Sequence, residues 1–202
     1  MKITAFFKRI LVPLLSLAFL STASGHAFAE DWSKLSSKKQ TKLGLYMTAK
    51  QADDYIQNNM SKTLFVDIRT PGELTYLGTS GSIDAHVPFE LMDTTQWNDK
   101  KKVYKHYENK NFVADVEAHM KKKGLGKDDN IVFMCRSGNR SAKAVNLMAA
   151  AGYTKVYNMV DGYEGDKAKD GPTKGKRTVN GWKNAGLPWS YHLDKDVMYF
   201  TK

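Results

Sequence analysis

The sequence predicts an α/β domain built around a mainly parallel sheet. Three short apolar runs rich in β-forming residues, at 63–68, 131–134 and 154–159, have the composition of buried strands. Segments with helical periodicity or high alanine content separate them, at 111–123 and 141–151. Strands that alternate with helices in this way are typical of βαβ units, in which neighbouring strands run parallel.

Length and composition are those of an ordinary globular protein. The 202 residues are 42% hydrophobic and 26% charged, which excludes a fibrous repeat, a disordered chain and a polytopic membrane protein. A single cysteine excludes a disulfide framework within the chain and a metal site with several cysteines. The net charge of +10 comes from lysine runs that we interpret as solvated surface, so we expect no nucleic-acid partner.

The first 29 residues have the pattern of a secretory signal peptide. Basic residues lie among the first nine positions, an apolar run covers 10–20, and 27–29 supplies the small residues that a signal peptidase reads. The apolar run is shorter than the ~20 residues that span a bilayer. The only cysteine, Cys135, is too far along the chain for a lipid anchor at the N-terminus. We expect cleavage after Ala29, no stable membrane anchor and a periplasmic location.

The elements after the signal peptide begin with a polar, lysine-rich lead-in over 30–47, expected to be extended. Residues 48–59 place apolar side chains at helical spacing, with Thr48 in the capping position. The first buried strand, 63–68, comes next. Pro71 then opens a short helix, since proline is favoured at the first helical position.

The middle of the chain contains one segment that its residue pattern leaves unassigned. Residues 78–88 are rich in turn formers, with a short strand expected near Ile83. The segment 89–110 is charged, aromatic and without clear periodicity. The apolar residues of 111–123 share one face and stop at Gly124, which is the pattern of an amphipathic helix and its end.

The last part of the domain combines a polar loop with one further helix. Residues 161–177 are rich in glycine, lysine and aspartate, and a helix is expected over 178–185, around Trp182. The acidic residues of this loop lack the spacing of a calcium loop, and the histidines of the chain lack metal-ligand spacing. The sequence therefore predicts no metal site.

The residues that carry chemistry follow the second buried strand. The candidate loop consists of Cys135, Arg136, Ser137, Gly138, Asn139, Arg140 and Ser141. Gly138 and Asn139 tolerate unusual backbone angles, so the loop can turn successive N–H groups inward as a nest for an anion. The helix beginning near Ser141 adds its positive dipole end, and the two arginines add formal charge. These features favour the thiolate, so we interpret Cys135 as a nucleophile rather than as a small buried hydrophobic residue.

The length of the loop favours a persulfide on Cys135 over phosphatase chemistry. Phosphatases of the cysteine type need an arginine six positions after the cysteine, where this chain has Ser141. The arginine comes one place early, at Arg140, which makes a tighter nest that suits a sulfur carried on the cysteine as a persulfide. A cysteine phosphatase or an arsenate reductase stays a less favoured alternative, because the chain also lacks a second cysteine.

Several motifs together resemble a known family. They are Asp67-x-Arg69 with Glu73, the loop 135–141, and the closing segment with Gly162, Gly181-Trp182 and 185–188. Over 48–193 the chain resembles a single-domain rhodanese-like sulfurtransferase of an exported type, with a C-terminal tail at 194–202. The resemblance implies a central, mainly parallel five-stranded sheet flanked by helices on both faces.

The resemblance also implies a function. Cys135 would accept sulfane sulfur as a persulfide, the six residues after it would bind substrate through their backbone amides, and no metal or organic cofactor would be needed. The implied partners are a small anionic donor such as thiosulfate and a thiol or cyanide acceptor. The insertions 89–110 and 161–177 could border the mouth of the site or recruit a protein partner. The alternative is a non-catalytic binding module that presents them.

Individual roles for the charged residues follow from their positions in the motifs. Arg140 is expected near the sulfur and Arg136 toward incoming thiosulfate, so an alanine at either position should weaken donor use and leave the fold intact. Asp67 and Arg69 are assigned structural roles, with Arg69 expected to pair with a carboxylate such as Glu73.

Overall fold

The computed structural model describes residues 30–201, of which 32–201 belong to one compact unit. The strands of this part of the chain are β1 (Tyr46–Met47), β2 (Thr63–Asp67), β3 (Ala85–His86), β4 (Glu90–Asn98), β5 (Val103–Glu108), β6 (Asn130–Met134) and β7 (Val156–Met159). Five form a parallel sheet in the order β1-β7-β6-β2-β3, so the predicted α/β class is confirmed. The predicted signal peptide lies outside the described residues. Within them, every helix is too short or too polar to cross a membrane.

Helices cover both faces of the sheet, as the resemblance implied. They are α1 (Ala49–Asn58), α2 (Pro71–Leu77), α3 (Phe112–Lys122) and α4 (Asn139–Ala150). On one face, α3 and α4 bury Val116 and Val145 in a cluster with Phe133. On the other face, α1 buries Ala52 in a cluster with Phe65. All residues of β2 and β6 are buried as a result, which explains why these strands are continuous apolar runs without alternation.

The first two helices, α1 and α2, each begin with a capping box. The side chain of Thr48 accepts a hydrogen bond from the backbone of Gln51, and the side chain of Gln51 accepts one from the backbone of Thr48. Thr70 and Glu73 repeat the arrangement at the start of α2. Because each box fills two backbone donors that the helix leaves open, it fixes where the helix starts.

The predicted extended lead-in is wrong for much of 30–47. The segment forms two short 3₁₀ turns, Trp32–Lys34 and Ser37–Lys39, and ends in β1 at the edge of the sheet. Lys39 is buried, and its Nζ lies 2.7 Å from Asp166 Oδ2. The segment is ordered by partners more than 100 residues away in sequence, which local composition does not reveal.

The unassigned segment 89–110 is an antiparallel hairpin of β4 and β5. Its register shifts between Asp93 and Trp97, and near the tip Trp97 packs edge-to-face on Tyr104 with ring centroids 5.4 Å apart. The hairpin lies mostly in solvent, so its residues do not show the apolar–polar alternation by which a half-buried strand is recognised.

The predicted helix over 178–185 is also wrong, because this segment is a series of turns. Trp182 N donates to Gly162 O at 2.9 Å and Lys183 N donates to Tyr163 O at 3.0 Å, so two backbone donors of the segment pair with a distant turn. Within the segment, Ala185 N donates to Gly181 O at 2.9 Å, which closes a single turn. The indole of Trp182 is fully buried, with its ring centroid 5.6 Å from that of Phe65. Tertiary packing therefore overrides the helical pattern.

Candidate active site

Cys135 follows β6, the central strand of the sheet, at its carboxyl end. The neighbouring strand β2 ends at the same edge, where Asp67 pairs in register with Met134. Ligands of open α/β sheets bind at this edge, because the loops that leave the strands converge there. Cys135 itself is only 1% exposed, and its side chain points into a compact loop that leads to α4.

Two groups contact the sulfur of Cys135. The backbone N–H of Gly138 donates to Sγ at 3.2 Å, and the hydroxyl oxygen of Ser141 lies 3.3 Å from Sγ. Gly138 has φ +88° and is the N-cap of α4, so the helix starts at Asn139, two residues earlier than predicted. The sulfur therefore lies beside the first turn of α4, where the helix dipole and open N–H groups favour negative charge.

A buried hydrogen-bond chain fixes the hydroxyl of Ser141. The amide nitrogen of Asn158 donates to Lys39 O at 2.8 Å, which leaves the Asn158 oxygen as the acceptor for the Ser141 hydroxyl at 2.6 Å. Ser141 Oγ can then accept from the Cys135 thiol. Asn158 could not be assigned to the site from the sequence, because it lies in β7 and comes beside Ser141 only after the sheet has formed.

The turn after β7 supports the loop from behind. Tyr163 N donates to Cys135 O at 2.8 Å, and Glu164 N donates to Arg136 O at 3.0 Å. Gly162, at φ +62°, passes so close that a Cβ atom there would lie 2.5 Å from Ser137 N and 2.6 Å from Cys135 O. Only glycine fits this approach, so the turn holds the backbone of the loop in one conformation.

The structure pairs the guanidinium of Arg140, which was expected near the sulfur, with a carboxylate of α2. The guanidinium makes a two-pronged pair with Glu73, with Nη1–Oε2 and Nη2–Oε1 distances of 2.8 and 2.6 Å. Burial alone would raise the pKa of Glu73, but the hydrogen bonds and charge of Arg140 outweigh it and lower that pKa to about 2. Glu73 occupies both terminal nitrogens of the Arg140 guanidinium. Arg140 therefore acts on the loop through its charge, and it joins α2 to α4.

Arg136 points outward from the loop, in line with the expectation for an incoming donor. Its side chain is 44% exposed, and its Nε donates to Glu164 at 2.5 Å. Arg136 also lines a cleft of about 390 Å³ between α2 and the hairpin, together with Tyr76, Met92 and His106. The insertion 89–110 thus lies beside Arg136.

The remaining predicted residues divide into buried and exposed positions. Ser137 is buried and Asn139 is exposed at the start of α4. Arg69 pairs with a carboxylate, as expected, but with Asp67 and not with Glu73: its Nη2 lies 2.6 Å from Asp67 Oδ2 in a fully buried pair. Glu73, the predicted partner, is already held by Arg140. Within residues 30–201, no group of three His, Cys, Asp or Glu side chains is placed to hold a metal ion.

A parallel α/β sheet whose central strand is followed by a cysteine, with a backbone N–H and a helix start beside the sulfur, is typical of a rhodanese-type domain. The chain belongs to the family of proteins with a rhodanese-like domain, whose family model matches residues 48–169.

Individual relatives agree with this assignment. Thiosulfate sulfurtransferase 16, chloroplastic, of Arabidopsis thaliana is 33% identical over 111 residues, which cover 54% of this chain and 78% of that protein. An uncharacterized protein of Rickettsia prowazekii is 37% identical over 83 residues, 41% of this chain and 57% of its own length. The crystal structure of Rv0390 from M. tuberculosis superposes with a TM-score of 0.52 and 28% identity, over 73% of this chain and 97% of the other. The similarities support a function of sulfurtransferase type at the level of the family.

Replacing Gly162 with alanine tests whether the turn after β7 holds the loop. Alanine at positive φ costs about 1–2 kcal/mol, and the clash with the loop should add roughly 1–3 kcal/mol. Gly171→Ala is the matched control, because Gly171 has φ +70° and open space around its Cβ position. Denaturant unfolding should show a clearly larger loss of stability for Gly162→Ala, with a slower reaction of Cys135 or a displaced loop. Equal losses for the two variants would contradict the role of the turn.

Proposed function

We propose that the protein is an exported sulfurtransferase that carries sulfane sulfur as a persulfide on Cys135. The observation that carries the proposal is the placement of Cys135 Sγ against Gly138 N–H and the first turn of α4. The Arabidopsis relative named a thiosulfate sulfurtransferase supports the choice of thiosulfate as the donor. The residue pattern of the first 29 positions supports export to the periplasm.

The first half-reaction would form the persulfide. The Cys135 thiolate attacks the outer sulfur of thiosulfate, a new S–S bond forms, and the old S–S bond breaks as sulfite leaves with the electron pair. The terminal sulfur then carries the negative charge, which the amide nest of residues 136–141 and the start of α4 stabilise. Ser141 can turn its hydroxyl toward this sulfur once the thiol proton is gone.

The second half-reaction would return the free cysteine. A thiol or cyanide attacks the terminal sulfur of the persulfide, the S–S bond breaks, and the electron pair returns to Cys135 as thiolate. No external oxidant or reductant is needed for either half-reaction, since sulfur moves at constant overall oxidation state. A covalent intermediate between two substrates predicts ping-pong kinetics.

The cysteine phosphatase alternative loses support from the position of Arg140. Phosphate chemistry needs an arginine that is free to bind phosphate oxygens, whereas both terminal nitrogens of Arg140 are bound by Glu73.

A non-catalytic binding module is the second candidate, because Cys135 is 1% exposed and the hairpin presents exposed aromatic residues such as Trp97. A test for covalent sulfur on Cys135 separates this candidate from the enzyme.

Incubation with thiosulfate should add one sulfur atom to the protein, measured as a mass increase of the intact chain. Addition of cyanide should remove that sulfur and release thiocyanate, and initial rates should follow the parallel-line pattern of ping-pong kinetics. A chain that gains no mass and releases no thiocyanate would contradict the proposal.

Mass spectrometry of the protein isolated from its own cells should also show the N-terminus at Glu30, whereas an intact N-terminus would contradict cleavage.

A further inference from the structure

Three arginines surround the loop of Cys135, and they differ in how far their charge is neutralised. Arg140 gives both prongs to Glu73, and Arg136 gives its Nε to Glu164. Arg177, from the insertion 161–177, has no ion pair with any residue that the structure describes. Like Arg140, it lies close enough to Cys135 for the two to interact electrostatically.

Arg177 is connected to Arg136, the residue that follows Cys135, through Gly165. Its Nη1 donates to Gly165 O at 2.5 Å, and Gly165 N donates to Arg136 O at 3.2 Å. A backbone bridge to Lys167 holds the base of the side chain in place. The insertion thus brings a second guanidinium to the side of the loop where Arg136 lies.

The guanidinium of Arg177 has unused hydrogen-bonding capacity. Its Nε is buried and has no acceptor among the described residues. Burial, followed by the positive charge of Arg136, lowers the pKa of Arg177, although the charges of Glu164 and Asp166 act in the opposite direction. A buried N–H without an acceptor, next to a second cation, is a costly arrangement that a bound anion would relieve.

We propose that Arg177, which lies outside the loop 135–141, and Arg136 form a subsite for the sulfonate end of an anionic sulfur donor. The three oxygens of a sulfonate can accept from two guanidinium groups, while the outer sulfur of the donor points toward Cys135. After the attack, sulfite leaves from this subsite with its electron pair. The inference rests on the proposed function and names the chemical class of donor that the site selects: thiosulfate and related thiosulfonates, not neutral polysulfides.

Alkylation of Cys135 measures this subsite without any sulfur transfer. Iodoacetate and iodoacetamide are alike in size and differ in charge, and Cys135 is the only cysteine of the chain. The ratio of their rate constants therefore reports positive charge at the mouth of the site. We expect Arg177→Gln to lower the iodoacetate-to-iodoacetamide ratio by about fivefold to tenfold, and Arg177→Lys to keep most of it.

Lys176→Gln is the matched control, because it removes the same charge from the exposed neighbouring position. Its ratio should stay within about twofold of the wild-type value, since an exposed charge is screened over a short distance. An Arg177→Gln ratio equal to that of Lys176→Gln would overturn the proposal. This result would be obtained even if the protein transferred no sulfur, so the two failures are distinguishable.

Two further measurements complete the test. Arg177→Gln should raise the KM for thiosulfate by about tenfold and leave unchanged the rate at which Cys135 reacts with dimethyl trisulfide, a neutral compound that forms a mixed disulfide or trisulfide and releases a thiolate or a methyl persulfide. An equal loss with both compounds would overturn the assignment to an anion subsite. In the wild-type protein, methanesulfonate should slow the reaction of Cys135 with iodoacetamide, whereas its neutral analogue dimethyl sulfone should not. Equal effects of these two compounds would also overturn it, and this measurement needs no variant to fold.

Discussion

Replacing Cys135 with serine should lower sulfur transfer by at least about a thousandfold while the protein stays folded. A serine hydroxyl is a far weaker nucleophile than a thiolate, and it cannot carry sulfur as a persulfide. The fold should survive, because the smaller hydroxyl can still bond to Gly138 N and to Ser141 Oγ, the two groups that contact the sulfur. The measurements are thiocyanate release and the mass of the chain after incubation with thiosulfate.

Ser141→Ala is the control that distinguishes loss of the Cys135 thiol from loss of a group that contacts it. It removes the hydroxyl 3.3 Å from the sulfur and leaves Asn158 without its hydrogen-bond donor, yet keeps the thiol. We expect this variant to form the persulfide more slowly and to gain the same mass. If Cys135→Ser kept its biological role in cells, the binding module would be the correct function and the persulfide would have no part in it.

Much of the fold and the core of the site can be predicted from the sequence, because both depend on contiguous residues. The strands β2 and β6 are continuous apolar runs, and the helix starts at Thr48 and Pro71 carry strong local signals. The loop 135–141 contains its nucleophile, its glycine and its helix start within seven positions. Such features are visible in a sequence since each depends on neighbours along the chain.

The partners of the charged residues could not be predicted, because they are chosen by contacts that form only in the folded protein. Arg140 meets Glu73 across 67 positions, and this contact turns a predicted anion binder into a support between two helices. Arg177 belongs to a run that has the composition of solvated surface, but its loop folds back onto the active site. The sequence shows which residues are charged, but it does not show which of them pair with each other.

The pair of Arg140 and Glu73 changes the effect that we expect from an alanine at position 140. Arg140→Ala should destabilise the protein by about 3 kcal/mol, because it leaves the mostly buried carboxylate of Glu73 without a partner. The loss is measured by denaturant unfolding at neutral pH. Glu73→Gln in the same variant should restore part of the stability, since glutamine carries no charge and can still accept from Thr70 N, the contact that caps α2.

The pH dependence of this loss gives a second and sharper test. In the wild-type protein the pKa of Glu73 is lowered from 4.5 to about 2, so the unfolded chain takes up the proton first as the pH falls. The stability contributed by the pair is therefore complete above about pH 4.5 and disappears as the pH approaches 2. Without Arg140, burial should raise the pKa of Glu73 instead, so protonation should favour the folded variant. The difference in unfolding free energy between wild type and Arg140→Ala should accordingly shrink as the pH is lowered from 7 to 4. If that difference were independent of pH, or if Glu73→Gln failed to restore any stability to Arg140→Ala, the two side chains would not be coupled, and α2 would be joined to α4 by packing alone.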